Sequence, residues 1–212
     1  MDKRKIFFIS CLFMAMICFP LTQVHAQQTV INVCSQDVPK FIDPPDSNSS
    51  IITIPDNLII TDINVKLHIT HPWVGDLVVS LLSPGGTNEI LFSTIGGPGD
   101  DVGTTCIPEP DCILDDDASQ GIETGSPPYV GSWLAGGYLP NFHGENAQGT
   151  WTLLMSDVVL GIDGGELNCW CLEITGTPDE PIPTLNQWGL IILSIMIAAS
   201  ALFVIRRKRK AF

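Results

Sequence analysis

Short runs of alternating apolar and polar residues, closed off by glycine and proline, set the limits on what this chain can become. Ile63, Val65, Leu67 and Ile69 alternate with Asn64, Lys66, His68 and Thr70. Successive strand side chains point to opposite faces, so a period of two describes a strand with one buried face. Trp151, Leu153 and Met155 alternate with Thr152, Leu154 and Ser156. Trp170, Leu172 and Ile174 share one face of a run near Leu167 to Thr175. Between these runs, Leu77 to Leu82 leads through the turn Ser83-Pro84-Gly85-Gly86-Thr87 back into Ile90 to Phe92. No long helical stripe precedes residue 188. Many short strands with turn-rich links predict an all-β chain, a jelly-roll β-sandwich. Residues 93–150 read as the exception, mostly loop, glycine-rich and acidic. Trp151 and Trp170 are the expected core anchors, and Asp76 and Asp157 read as buried carboxylates that fix loops.

The two ends read as addresses. Lys3, Arg4 and Lys5 precede a short apolar run from Ile6 to Phe19, and Val24-His25-Ala26 offers a cleavage site before Gln27. Residues 1–26 are therefore expected to be a secretory signal peptide. Near the other end, Trp188 to Ile205 is a run of 18 uncharged residues, about 27 Å long as a helix and enough for one membrane span. Arg206, Arg207, Lys208, Arg209 and Lys210 follow it. The positive-inside rule keeps that cluster in the cytoplasm and turns the preceding domain outward. The expected organisation is a signal (1–26), a lead segment (27–37), the sandwich (38–176), a linker (177–187), a transmembrane helix (188–205) and a basic tail (206–212).

Charge narrows the partners. Three of the ten Lys and Arg lie at 3–5 and five at 206–210, whereas 22 of the 23 Asp and Glu fall between residues 27 and 187. With only Lys40 and Lys66 against them, the middle carries a net charge near −20. Binding nucleic acid requires Lys and Arg that displace counterions from phosphate, so that class is excluded. Docking of the domain on anionic lipid is disfavoured for the same reason.

Five cysteines remain beyond the signal: Cys34, Cys106, Cys112, Cys169 and Cys171. In an exported chain they are expected as disulfides before metal ligands, with zinc the lesser alternative. Cys106 and Cys112 bracket a loop with two prolines and are expected to bond each other. Cys169 and Cys171 point the same way on one strand and would bond each other only under strain. Cys171 is expected to reach Cys34, which leaves one odd thiol.

Ile54 to Asn57, Val65 to His71, Gly75 to Leu77, Leu82 to Thr87, Phe142 to Leu153, Asp157, Gly165 to Leu167 and Trp170 to Leu172 together resemble the P domain (Homo B domain) of proprotein convertases. Asp115 to Ala118 and Pro127 to Gly131 fall in the expected order between them. The resemblance covers about residues 38–176. It implies an eight- or nine-stranded jelly roll that normally follows a subtilisin-like serine protease domain and supports it. No protease domain is expected ahead of residue 38, and Cys106 to Cys112 looks like an insertion. Ile182-Pro183-Thr184-Leu185, the apolar run and the basic cluster are similar to a bacterial C-terminal sorting tag. That likeness implies a Gram-negative-type envelope and removal of the helix by a sorting protease; a plain single-span anchor is the alternative.

Catalysis is not expected. A hydrolase needs a nucleophile activated by a base. The chain beyond the signal holds His68, His71 and His143, with no Gly-x-Ser-x-Gly elbow. His68 and His71, three apart on a strand, face opposite sides, and a structural hydrogen bond is expected for His71. Ca²⁺ is the expected cofactor, held by Asp115, Asp116 and Asp117, with Asp100 and Asp101 as further ligands; a solvated acidic face without a cation is the alternative. Calcium takes six to eight oxygens from flexible acidic loops. The expected function is that of a non-catalytic, exported interaction or stabilising module. Its partner would be an envelope or extracellular protein or glycan, or else a separate subtilisin-like protease.

Overall fold

The computed structural model describes residues 27–42, 47–159, 164–179 and 185–209. The expected signal peptide, most of the sorting motif and the end of the basic tail lie outside the described residues. Among the described residues ten strands are formed: β1 (Thr29–Cys34), β2 (Lys40–Ile42), β3 (Ser47–Ile54), β4 (Leu58–Thr70), β5 (Leu77–Leu82), β6 (Asn88–Ser93), β7 (Cys112–Leu114), β8 (Gly131–Trp133), β9 (Gly149–Asp157) and β10 (Gly165–Pro178). One sheet runs β1-β10-β4-β7-β8, with β2 also paired to β10; the other runs β3-β9-β5-β6. All pairs are antiparallel except β7 with β8. The chain is thus a β-sandwich. Ten strands exceed the eight or nine implied by resemblance, and three of the ten are only three residues long.

The alternating faces meet as a single core. Val65, Leu67 and Ile69 of β4 and Leu172 and Ile174 of β10 bury against Val79 and Leu81 of β5 and Leu153 and Met155 of β9. Trp151 and Trp170 are fully buried. An indole N–H taken out of water must find an acceptor. Trp151 Nε1 donates to the Ala147 carbonyl at 2.9 Å. Trp170 Nε1, on one sheet, donates to Ser50 Oγ on the other at 2.7 Å, and Ser50 in turn donates to Asp37.

The segment before residue 38, expected as a lead, is an edge strand. β1 lies along β10 with Cys34 directly opposite Cys171, and these two are bonded. The loop disulfide expected between Cys106 and Cys112 is not formed; Cys106 is bonded to Cys169. Strand register explains the change. β7 pairs with β4 so that Cys112 faces the core opposite Leu67, out of reach of a surface loop. Cys112 is the odd thiol. Burial, with the Asp111 charge adding to it, pushes that thiol up to about 12, which leaves it unreactive.

Beyond the sandwich, α1 (Leu185–Arg209) covers the apolar run. Its described side chains are exposed, Ile195 and Phe203 among them. Among the described residues no helix is long and apolar enough to cross a membrane.

Candidate metal centre

A phase slip in β4 places the first ligand. Leu58 and Ile60 are buried, and so are Ile63, Val65 and Leu67, so the inward positions slip by one residue between Ile60 and Ile63. The slip coincides with a bulge in the pairing to β10, where Thr175 opposes Asp62 and Gly176 opposes Ile60. A bulge leaves one residue unpaired and re-aims its neighbours. Gly176 is required there, since a Cβ would come within 2.6 Å of the Ile59 carbonyl. Asp62 is left half-buried on a strand that is otherwise apolar toward the core.

Asp115 to Asp117 follow β7 immediately. Asp115 folds the chain over itself: its carboxylate accepts the Asp117 N–H at 2.8 Å, and its carbonyl accepts the Ala118 N–H at 3.2 Å. That turn swings Asp116 toward Asp62. His143, just past a short 3-10 turn at Leu139–Phe142, completes the group with Nε2 at 3.8 Å from Asp116 Oδ2. One ligand atom from each of Asp62, Asp116 and His143 lies within 4.8 Å of the others. Burial, then the charges of Asp116 and Asp115, hold the Asp62 carboxyl above its ordinary range. Both lysines of the domain are engaged elsewhere. Lys40 pairs with Asp37 at 3.3 Å, and Lys66 pairs with Glu109 and Glu173 at 2.6 Å each.

The residues pass one test of fit to a cation. Asp116 Oδ1 is buried and has no hydrogen-bond donor. A carboxylate oxygen hidden from water without a partner is costly, and a cation would satisfy it. Asp116 also lines a cavity of about 370 Å³ with Tyr138, Leu139 and Pro140.

Of the five aspartates proposed from sequence, Asp116 joins this group with Asp115 and Asp117 beside it, and Asp101 does not. Asp101 serves the far end of β4, where its carboxylate accepts the His71 N–H at 2.9 Å. Asp62 and His71 are nine residues apart, roughly 30 Å of extended strand. The Cys106–Cys112 bond that was to bring the two acidic runs together is the one that does not form. Asp62 and His143 were not anticipated as ligands. The one available hint was a charged residue interrupting the apolar phase of β4.

The other histidine–carboxylate pair is sealed. His71 Nδ1 accepts the Trp73 N–H at 3.0 Å, so Nε2 carries the proton and donates to Asp157 Oδ2 at 3.3 Å. Asp157 Oδ1 accepts the Val159 N–H at 3.0 Å. Both side chains are buried. Gly165 lies against the ring, where a Cβ would come within 2.3 Å of His71 Cδ2. The structural hydrogen bond expected of His71 is present. Asp157 fixes a loop as expected, whereas Asp76 is only half-buried.

The family model of the proprotein convertase P-domain matches residues 60–106, and that of the IPTL-CTERM motif matches residues 180–209. Among curated relatives, the chain is similar to proprotein convertase subtilisin/kexin type 6 of Rattus norvegicus. The two are 27% identical over 127 residues, 58% of this chain and 11% of that protein; the chain thus spans about a tenth of the relative's length. Similar solved structures include the serine protease of Aeromonas sobria, at 23% identity and a TM-score of 0.41, over 79% of this chain and 30% of that one. A second is the same protease in complex with its chaperone, at 23% identity and a TM-score of 0.43, over 78% and 29%.

Proposed function

We propose that this chain is an exported, surface-sorted β-sandwich that acts by contact and not by catalysis, as an interaction or stabilising module in a bacterial envelope. The observation that carries this reading is the order of its parts: a P-domain segment followed by an IPTL-CTERM motif. In this reading residues 1–26 are removed on export. Residues 188–205, uncharged throughout, and the basic cluster after them are the part of the sorting tag that a sorting protease cuts away. The exposed apolar side chains of α1 favour burial in lipid over water. The test is intact-mass analysis of the surface-exposed species. Its expected ends are Gln27 and a residue upstream of Trp188; recovery of Arg206 to Lys210 on that species overturns sorting.

A second reading has a specific basis. The P-domain match and the rat convertase favour a module that assists a separate subtilisin-like serine endopeptidase. Stoichiometric co-purification of such a protease with the full chain from its own envelope would select this reading over a protein or glycan partner.

Either reading includes a divalent cation. Ca²⁺ suits the oxygens of Asp62, Asp116 and the neighbouring Asp115 and Asp117, and would relieve the repulsion that adds to burial in raising Asp62. The site has no EF-hand pattern, so its affinity is expected at ~10⁻⁴ M or weaker, as in extracellular modules.

A further inference from the structure

The two disulfides differ in what stands beside them. Cys34–Cys171 joins opposed residues of β1 and β10. Cys106–Cys169 has a histidine against it: His68 Nδ1 lies 3.6 Å from Cys106 Sγ. His68 on β4 is directly opposite Cys169 on β10, next to the bulge at Asn168. One ligand atom from each of His68, Cys106 and Cys169 lies within 4.8 Å of the others, and all three residues are half-buried. No such group surrounds Cys34–Cys171 among the described residues.

These separations are close to those of a metal tetrahedron. With metal–sulfur bonds of about 2.3 Å and metal–nitrogen bonds of about 2.0–2.1 Å, tetrahedral angles put sulfur and nitrogen ~3.6 Å apart and the two sulfurs ~3.8 Å apart. The His68–Cys106 edge already has that length. The sulfurs, once unbonded, must separate by about 1.7 Å more than a disulfide allows, a change within reach of side-chain rotation.

Cutting the bond does not free the loop. Asp111 accepts the Thr104 N–H at 2.6 Å, and Glu109 holds Lys66 at 2.6 Å. The Gly131 N–H donates to the Asp111 carbonyl at 2.8 Å. Cys106 is therefore kept over His68 by contacts that owe nothing to sulfur.

We propose that the Cys106–Cys169 pair has a second, reduced form in which its two thiolates and His68 Nδ1 bind a zinc-class cation, with water in the fourth position. A dithiol reductant gives two electrons and two protons to the disulfide and leaves as its own disulfide. The cation then displaces both thiol protons, and two thiolates balance its double charge. Oxidised, the pair is a clasp between the 103–111 loop and β10; reduced, it is a three-ligand site with an open position. The reduced form is also the state from which the clasp is made.

The test uses the full chain, reduced with a phosphine without oxygen and titrated with Co²⁺. The expected result is a saturable visible absorption of tetrahedral cobalt with thiolate charge transfer, one equivalent per chain and bleached by Zn²⁺. It should be absent from the oxidised chain and from Cys106→Ser, and its affinity should fall at least tenfold in His68→Ala. Cys112 reports the fold: it should stay unreactive toward a thiol reagent while Cys106 and Cys169 react. Absence of the absorption in the reduced chain, equal affinity in His68→Ala, or reactive Cys112 before metal is added would each overturn the proposal.

Discussion

His71 with Asp157, and His143 with Asp116, are the same two chemical groups in opposite circumstances. The first pair lies at the end of β4 that meets β10 through Gly165, inside the sandwich and closed to water. Each nitrogen of its ring and each oxygen of its carboxylate has a partner. The second pair lies at the other end of β4 among loops, a third and a fifth exposed respectively, with an oxygen that nothing satisfies. A saturated buried pair is a lock, since any ligand would have to break a hydrogen bond to enter. In the proposed reading, an unsaturated pair ringed by like charges is open to a counter-ion. Which residues pair says little about role; which atoms are left without a partner says much more.

The largest expected effect is on the closed pair. Asp157→Ala strands the His71 Nε2–H inside the fold and takes the acceptor from the Val159 N–H, at roughly 1–3 kcal/mol each, for a total loss of ~2–6 kcal/mol in chemical denaturation. Trp151→Ala, which empties the core, sets the same scale at ~3–5 kcal/mol, and a loss below about 1 kcal/mol there would show the core to be misassigned. Asp116→Ala without added cation should cost under about 1 kcal/mol, because the mutation removes a carboxylate that like charges already repel. Equal losses for Asp157→Ala and Asp116→Ala would erase the distinction between lock and site.

Next in size is the response to cation. At a Ca²⁺ concentration a hundred times Kd, the full chain should gain about 2.7 kcal/mol over an EDTA control at matched ionic strength. Asp116→Asn should remove most of that gain and His71→Gln little of it. An equal rise in melting temperature with Mg²⁺ and Na⁺ would reduce the open end to a solvated acidic face. A Zn²⁺ response lost in His143→Ala would instead assign the imidazole as a ligand.

Much of the sandwich is legible because its long strands obey one periodicity over enough residues to show it. β4, β9 and β10 are read from alternation, β5 from an apolar run that ends in the Ser83–Thr87 turn, and Trp151 and Trp170 stand where the alternation puts them. β7 and β8 are three residues each, too short for any period, and their parallel pairing depends on the fold already being in place. β1 alternates, but over six residues of modest apolarity. The site is less legible for the same physical reason. Asp62 and Asp116 are 54 positions apart, and only the register of β7 on β4 brings them together. The Cys106–Cys169 bond is hidden likewise: sequence proximity favours Cys112, whereas the strand pleat turns Cys112 inward and offers Cys169 to the loop.

The smallest expected effect sharpens the same contrast through pH. Burial and the nearby aspartates raise the Asp62 carboxyl above its unfolded value of 3.8. Between that value and the raised one, the folded chain keeps a proton that the unfolded chain has lost. The folded state then binds more protons, so stability falls as pH rises through the window, and above it the full penalty remains. Asp37, Glu109 and Asp111 work the other way. Hydrogen bonds to Ser50 and Ile51 outweigh burial at Asp37, the Lys66 ammonium acts first on Glu109, and hydrogen bonds to Thr104 outweigh burial at Asp111, so all three are lowered. They add stability above their unfolded values and lose it as pH falls through their folded ones. The Asp62 share must therefore be isolated by difference. Asp62→Asn should match the parent chain below about pH 3.8 and exceed it at neutral pH in EDTA, by a few tenths to about 1 kcal/mol given solvent screening. Saturating Ca²⁺ should reverse the order, since the cation turns the repelled carboxylates into ligands in the parent chain alone. A parent chain that stays below Asp62→Asn in saturating Ca²⁺ would show that no cation enters between Asp62 and Asp116.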